Sequence, residues 1–221
     1  TESSSDNRLR RGQETRRQLM QAAEKLIADK GLKRLSIKEI LDVAQQNNSS
    51  ALQYHFGNLQ GLIAAIHAKR SHETRAKRAE ILDKLLANGQ KPELRQICAA
   101  MIGPAFELAR ARPDYRRYVK AFGHQLTLVE DSAVTVAAQQ GGGGESGAEL
   151  GKLLKRSLPH LSEAAFEQRM DFAVRLCASA MYAQARTPNA FQGQQSEFFI
   201  EGLLDALVGL LTAPETESKR K

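Results

Sequence analysis

The sequence predicts an all-α protein built as a small three-helix N-terminal unit followed by a larger C-terminal helical unit. Three observations carry that prediction. The 221 residues include 31 alanines and 27 leucines against 7 valines and 9 isoleucines, so helix formers far outnumber β-branched strand formers. Apolar residues recur at three- and four-residue steps through most segments, the period of a helix face. Capping residues, Gly and Pro punctuate those segments at helical lengths. A chain this long buries roughly 70% of its unfolded surface and needs no disulfide or metal staple.

Each element follows from its residues. Residues 1–12, TESSSDNRLRRG, are polar and Arg-rich and read as a flexible basic arm. From Thr15, the stripe Leu19, Ala23, Leu26 and Ile27 predicts a helix ending at Lys30-Gly31, with Gly31 in the left-handed position after the last turn. Ser36 and Glu39 form a capping box before Ile37, Ile40, Leu41 and Ala44. The polar run Gln45-Gln46-Asn47-Asn48 breaks that helix, and Asn48 caps a third carrying Ala51, Leu52, Tyr54, His55 and Phe56. Gly57 ends it and Asn58 caps a fourth, which reaches Leu86 through a charged middle, residues 67–80, expected to face solvent on most sides. Asn88-Gly89 and Pro92 close it.

The remainder reads as helix over 93–111, kinked at Pro104. Another runs from Pro113 to about Leu128, and a flexible loop is expected over 132–148, where GGGGESG cannot sustain an element. Helices follow at 147–158, 162–186 and 195–212. The resulting organisation is an arm over 1–12, a three-helix unit over 13–66, a helical regulatory unit over 67–213 and a polar tail over 214–221.

Charge narrows the partners. The chain carries +7, from 32 Lys and Arg against 25 Asp and Glu. Residues 1–70 hold 12 basic and 7 acidic side chains, so most of the excess sits in the first third. Polyanions are the expected partners. Two cysteines, Cys98 and Cys177, make no disulfide framework and fit a reducing cytosol. No apolar run is long enough to cross a membrane, and the polar N-terminus lacks a signal peptide's apolar core, so the expected location is the cytoplasm. His67 and His72 are five residues apart, which puts them on different helix faces, and no metal or cofactor is expected.

Three short helices over 15–56, the last two joined by about four polar residues, form a helix-turn-helix pattern, whose second paired helix lies in the DNA major groove. The same spacing suits a plain three-helix corner, and the basic first third favours DNA. The stretch from Thr15 to Ile66 then resembles the N-terminal domain of TetR/AcrR-type transcriptional regulators. Its landmarks are Gly31, then Ser36-Ile37-Lys38-Glu39-Ile40, then Tyr54-His55-Phe56-Gly57-Asn58, then Leu62. It departs from that pattern in three places. Gln45 stands where the turn usually begins with Gly, and the turn reads one residue longer. Leu59 stands where a phosphate-touching Lys is common. The third helix has no Lys or Arg, so it offers no bidentate Arg to guanine.

The resemblance implies a repressor that binds a palindromic duplex as a dimer, with a small apolar or amphipathic effector held in the C-terminal unit. The DNA-binding candidates are Arg8, Arg10, Arg11, Arg16, Arg17, Lys38, Asn48, Ser49, Ser50, Gln53, Tyr54 and His55. Gln53 suits adenine, the serines suit bases or phosphates, and the arginines suit the backbone or the minor groove. Effector candidates are Met101, Phe106, Tyr118, Phe122, His124 and Tyr182, each of which serves equally as core. Dimer candidates are Ala180, Gly202, Leu203, Ala206, Leu207 and Leu210, on two helices rich in small and apolar residues. The rival readings are a basic helical protein coating membrane or nucleic acid without sequence preference, and an all-α enzyme. No Ser-His-Asp order, paired carboxylates or nucleotide fingerprint supports the enzyme.

Overall fold

The computed structural model describes residues 2–48, 50–87 and 89–215, and these contain helices and no strand. Helix α1 (Glu2–Lys30) is followed by a 3-10 turn (Leu32–Arg34), α2 (Ile37–Val43), α3 (Ala51–Phe56) and α4 (Leu59–Leu86). Next come α5 (Leu94–Ala111), α6 (Pro113–Phe122), α7 (Gln125–Leu128), α8 (Ala133–Ala137), a π turn (Ala138–Gly142), α9 (Gly144–Ser157), α10 (Glu163–Ala185) and α11 (Gly193–Thr212).

Capping works as the sequence signals it at Ser36 and Asn58. Ser36 Oγ accepts from the Glu39 backbone N–H at 3.3 Å and donates to Glu39 Oε2 at 2.6 Å, so Glu39 answers the serine hydroxyl and also pairs with Lys30. Asn58 Oδ1 accepts from the Gly61 N–H at 2.8 Å. The cap expected of Asn48 is corrected: Ser50 is the N-cap of α3 without a side-chain cap bond, and Asn48 Oδ1 accepts from the Ser50 N–H at 2.9 Å, a local turn just ahead of the helix. Gly31 and Gly57 have φ of 84° and 76°, conformations that cost glycine little.

The structure corrects several expectations. The arm expected over 1–12 is helical from Glu2 onward. That stretch has no proline and only Gly12, so nothing interrupts the helix that Leu19 anchors. Ile37 is exposed rather than core, because α2 rests on Ile40, Leu41 and Ala44. The helix expected from Pro113 to Leu128 is broken at Gly123-His124 into α6 and α7. The loop expected over 132–148 is α8, the π turn and the start of α9. Side chains of α4 hold its backbone there: Ser71 Oγ donates to the Gln140 carbonyl at 2.7 Å and an Arg78 Nη1 to the Gly142 carbonyl at 2.8 Å. Those bonds offset the low helix propensity of glycine.

Two hydrophobic cores organise the packing. The first joins Leu19, Met20, Ala23 and Ile27 of α1 to Ile40, Leu41, Leu52, Leu62 and Ile66, and takes Ala121 and Phe122 from the end of α6. The second spans Leu82 of α4, α5, α6, α9, α10 and α11, with Ile97, Leu154, Leu207 and Leu211 fully enclosed. Helix α4 enters both cores, and α6 feeds both.

The charged middle of α4, expected in solvent, is partly interior. Arg70 and Glu24 are each 1% exposed. Arg70 donates both Nε (2.8 Å) and an Nη (2.7 Å) to the two carboxylate oxygens of Glu24, and its other Nη reaches Asp114 at 2.9 Å and Glu73 at 3.0 Å. Arg112 closes the cluster on Asp114 at 2.7 Å and Glu73 at 3.1 Å. Burial pushes the Glu24 carboxyl up, against the pull of Arg70. Burial pushes Asp114 up as well, but Arg112 and Arg70 outweigh it and hold that carboxyl well below the usual range. Helices α1, α4 and α6 thus meet through charge as well as through apolar contact.

Candidate nucleic-acid interface and effector cleft

Helix α3 is held by its inner face. Ala51 and Leu52 are buried, and Phe56 is half-buried beneath the Arg16 guanidinium, 5.1 Å from its ring centroid. The outer face is left clear. Tyr54 is 85% exposed, and Asn48, Ser50 and Gln53 are exposed beside it. A tyrosine that far into solvent gains little from burial in the fold. His55 is half-buried; burial and then the Arg16 charge push its pKa down, so the ring is neutral at pH 7. Ser49 lies outside the described residues.

The basic candidates split. Arg8, Arg10, Arg11, Arg16 and Lys38 are exposed, and none is in an ion pair among the described residues. Arg17 is also exposed but is paired with Glu14 at 2.5 Å and 2.8 Å, which halves its value as a free cation. Arg16 and Phe56 fix the middle of α1 to the end of α3. The Arg16 guanidinium and the polar face of α3 therefore sit in one packed head, with Arg8, Arg10 and Arg11 on the N-terminal part of the same helix α1.

The six effector candidates do not share one chamber. Phe106 rings with Phe191 and Phe199 inside the second core, with Met101 at its margin. Phe122 is 3% exposed in the first core, and Tyr118 packs on its ring at 5.4 Å. His124 faces Tyr182 at 5.0 Å between ring centroids, and its Nδ1 is buried without a hydrogen-bond partner. A cleft of about 480 Å³ opens elsewhere, between α4 and the π turn. Gln60, Ile63, Ala64, His67, Ala68 and Arg75 line it from α4, and Gln139 and Gln140 from the turn. The sequence placed His67, Ala68 and Arg75 in a solvated stretch of the fourth helix, and Gln139 and Gln140 in a flexible loop. The available clue was Ala64 and Ala68, two small residues one turn apart that leave a shallow floor.

His67 joins that cleft to the head. Its Nδ1 lies 3.1 Å from the Tyr118 hydroxyl, and its ring meets Phe122 edge-on at 4.7 Å. Burial pushes its pKa down. Phe122 in turn belongs to the core under α1.

The dimer candidates divide by face. Leu203 and Leu207 are 6% and 0% exposed inside their own chain, so the expectation that they contact a second subunit is corrected: they belong to the second core. Gly202 and Ala206 are exposed, and Ala180 and Leu210 half-buried. On the same outer side of α11 stands Phe198, 84% exposed, and α10 contributes the exposed Phe172.

Comparison with known proteins agrees with this architecture. No curated protein matches the sequence. RolR, solved in complex with resorcinol, superposes with a TM-score of 0.50 at 14% identity, covering 95% of this chain and 98% of that one. A candidate transcriptional regulator from Streptomyces coelicolor A3(2) has a TM-score of 0.43 and 18% identity, covering 90% and 99%. The first of these likenesses shows a shared fold. Residues 99–213, more than half of the chain, match the tetracyclin repressor-like C-terminal domain family. Together with the helix-turn-helix head, that match shows that the chain belongs to the tetracycline-repressor-like family of transcriptional regulators.

Proposed function

We propose that this protein is a repressor that binds a palindromic duplex as a homodimer and is modulated by a small molecule. In this reading residues 13–66 are the DNA-binding head, residues 67–213 the effector and dimer unit, and the protein works in the cytoplasm beside its operator. The observation that carries it is the outer face of α3. Gln53 and Tyr54 stand exposed next to each other on a helix whose opposite side is locked by Ala51, Leu52 and the Arg16–Phe56 contact. Gln53 suits an adenine edge, and Tyr54 and the free arginines suit phosphates. The exposed side of α11, with Phe198, Gly202 and Ala206, supplies the two-fold contact that a palindrome requires.

Selection of bound fragments from random duplexes by the full chain tests it. A preferred palindrome is expected, bound on the order of 10⁻⁸ M at physiological salt. Gln53→Ala should lose ~1–3 kcal/mol at one base pair and relax preference there. Replacing Arg8, Arg10 and Arg11 by Gln should weaken all duplexes alike and flatten the salt dependence by about 0.9 for each lost phosphate contact. Equal affinity for every duplex would overturn the reading in favour of an unspecific coat.

A further inference from the structure

We propose that the cleft between α4 and the π turn is the effector site, and that its ligand is a small organic carboxylate with an apolar body. This rests on the ligand-modulated reading above and adds the place and the chemistry. The floor is apolar and shallow. Ala64 and Ala68 are exposed, one turn apart, with Ile63 beside them. A ring or short chain lies flat there and covers methyl groups that now face water. None of the described lining residues is acidic, so a cation finds no counter-charge.

The far end is positive. Arg75 lines the cleft, and its aliphatic stem lies so near the glycine run that a Cβ on Gly144 would sit 2.8 Å from Arg75 Cδ. One turn on, Arg78 is 9% exposed, has no carboxylate in ion-pair contact among the described residues, and leaves its Nε without a hydrogen-bond partner. Among the described residues its guanidinium donates to the Gly142 and Gly143 carbonyls, at 2.8 Å and 3.4 Å. A buried cation without a counter-ion is costly, and an anion nearby relieves it. Burial and the Arg75 charge both push Arg78's pKa down, as expected of two guanidiniums crowded on one side. The seven-residue step from Ala68 to Arg75 is roughly 10 Å of helix. That is the length of an acid whose carboxylate is separated from a ring by a few carbons. Gln60, Gln139 and Gln140 complete the lining with His67, which touches Tyr118 and Phe122, so an occupant bears on the side chains packed beneath the DNA-binding head.

Calorimetric titration of the full chain without DNA is the test, with 4-phenylbutyrate as the probe and 4-phenylbutylamine as its cationic twin. Saturable binding of the acid is expected, with the amine at least about tenfold weaker, a gap of ~1.4 kcal/mol. Arg75→Gln should weaken the acid by a similar factor. Ala68→Phe should abolish binding by filling the floor; the position is exposed, so the fold, followed by circular dichroism, stays intact. Should Arg75→Gln unfold, Ala64→Phe provides the same readout from a second exposed position. No saturation at roughly 10 mM acid, equal binding of the amine, or binding unchanged in the filled variants overturns the site. A second titration follows the selected duplex with and without the acid. A shift in duplex affinity supports the coupling. Saturable binding with no shift keeps the carboxylate site and overturns ligand modulation instead, so the two ideas fail separately.

Discussion

Around Arg70 the molecule puts charge inside, and along the outer side of α11 it leaves phenylalanine outside. Both placements invert the usual sorting of residue types, yet they differ in how they are answered. Arg70 meets Glu24, Glu73 and Asp114 within 3.0 Å, and the rings of Tyr115 and Tyr118 lie within 6 Å of its guanidinium. Every charge there has its partner in the same chain. Phe198 has no ring partner among the described residues and 84% of its surface in solvent, with Gly202 and Ala206 exposed on following turns. The first inversion is completed by the fold and holds α1, α4 and α6 together. The second is left open within the described chain, and the proposed homodimer would complete it.

The largest effect should come from breaking the first. Arg70→Met strands the buried Glu24 carboxylate and should cost ~3–5 kcal/mol in urea unfolding. The double change Arg70→Met with Glu24→Leu removes both charges and should recover most of that loss, since an apolar pair of similar volume suits a dry interior. A double variant as unstable as the single would mean that the cluster's worth lies in Asp114 and Glu73 rather than in the Arg70–Glu24 pair.

The second inversion is broken by Ala206→Arg or Phe198→Arg. Neither side chain is enclosed in its own chain, so the helices should stay folded. In a two-fold interface each change buries an unpaired charge in both subunits and should cost about 2 kcal/mol or more of association. Analytical ultracentrifugation should then show the mass halved, with loss of palindrome binding. A folded dimer with unchanged DNA binding would remove this side of α11 from the interface.

The same contrast shows what sequence could deliver. Helix starts were legible at α2 and α4 because a cap is local: Ser36 and Asn58 act within three residues of themselves. The outward face of α3 was legible because Leu52 and Phe56 fix which side is inward. What was lost depends on long-range answers. Arg70 in a charged run looks solvated until Glu24, 46 residues earlier, and Asp114, 44 later, are placed beside it. The glycine run looks like a loop until Ser71 and Arg78 bind its carbonyls. The cleft was missed because its floor is two alanines, which periodicity scores as neither core nor chemistry. Leu203 and Leu207 were assigned to a partner because a helix with apolar residues on two sides does not say which side its own chain uses.

His67 sharpens the comparison at the boundary between interior and cleft. Burial lowers its pKa in the folded chain, so the stability it permits is full above the unfolded value of about 6.5 and is lost as pH falls through the folded value. Wild-type stability should therefore decline between pH 7 and pH 5 more steeply than that of His67→Gln, measured by urea midpoints. Equal slopes would overturn this, since they mean that His67 takes up its proton without cost to the fold.

The smallest effect concerns a residue whose class is undecided. Gln45 has φ of 55°, the left-handed region, and closes α2 as its first residue past the cap. Its N–H donates to the Asp42 carbonyl at 3.1 Å and the Gln46 N–H to the Leu41 carbonyl at 2.9 Å, the paired pattern that ends helices with glycine. A side chain there costs about 1–2 kcal/mol of local strain, offset in part by the greater freedom glycine has when unfolded. The Gln45 side chain is exposed and has no hydrogen bond among the described residues. Gln45→Gly should therefore raise stability by up to ~1 kcal/mol. Duplex affinity decides the rest. If it is unchanged, the strain is simply tolerated, and Gln45 belongs with features settled inside the chain. If the variant is more stable yet binds the selected duplex more weakly, the exposed amide is answered by DNA, and the turn between α2 and α3 is part of the recognition surface.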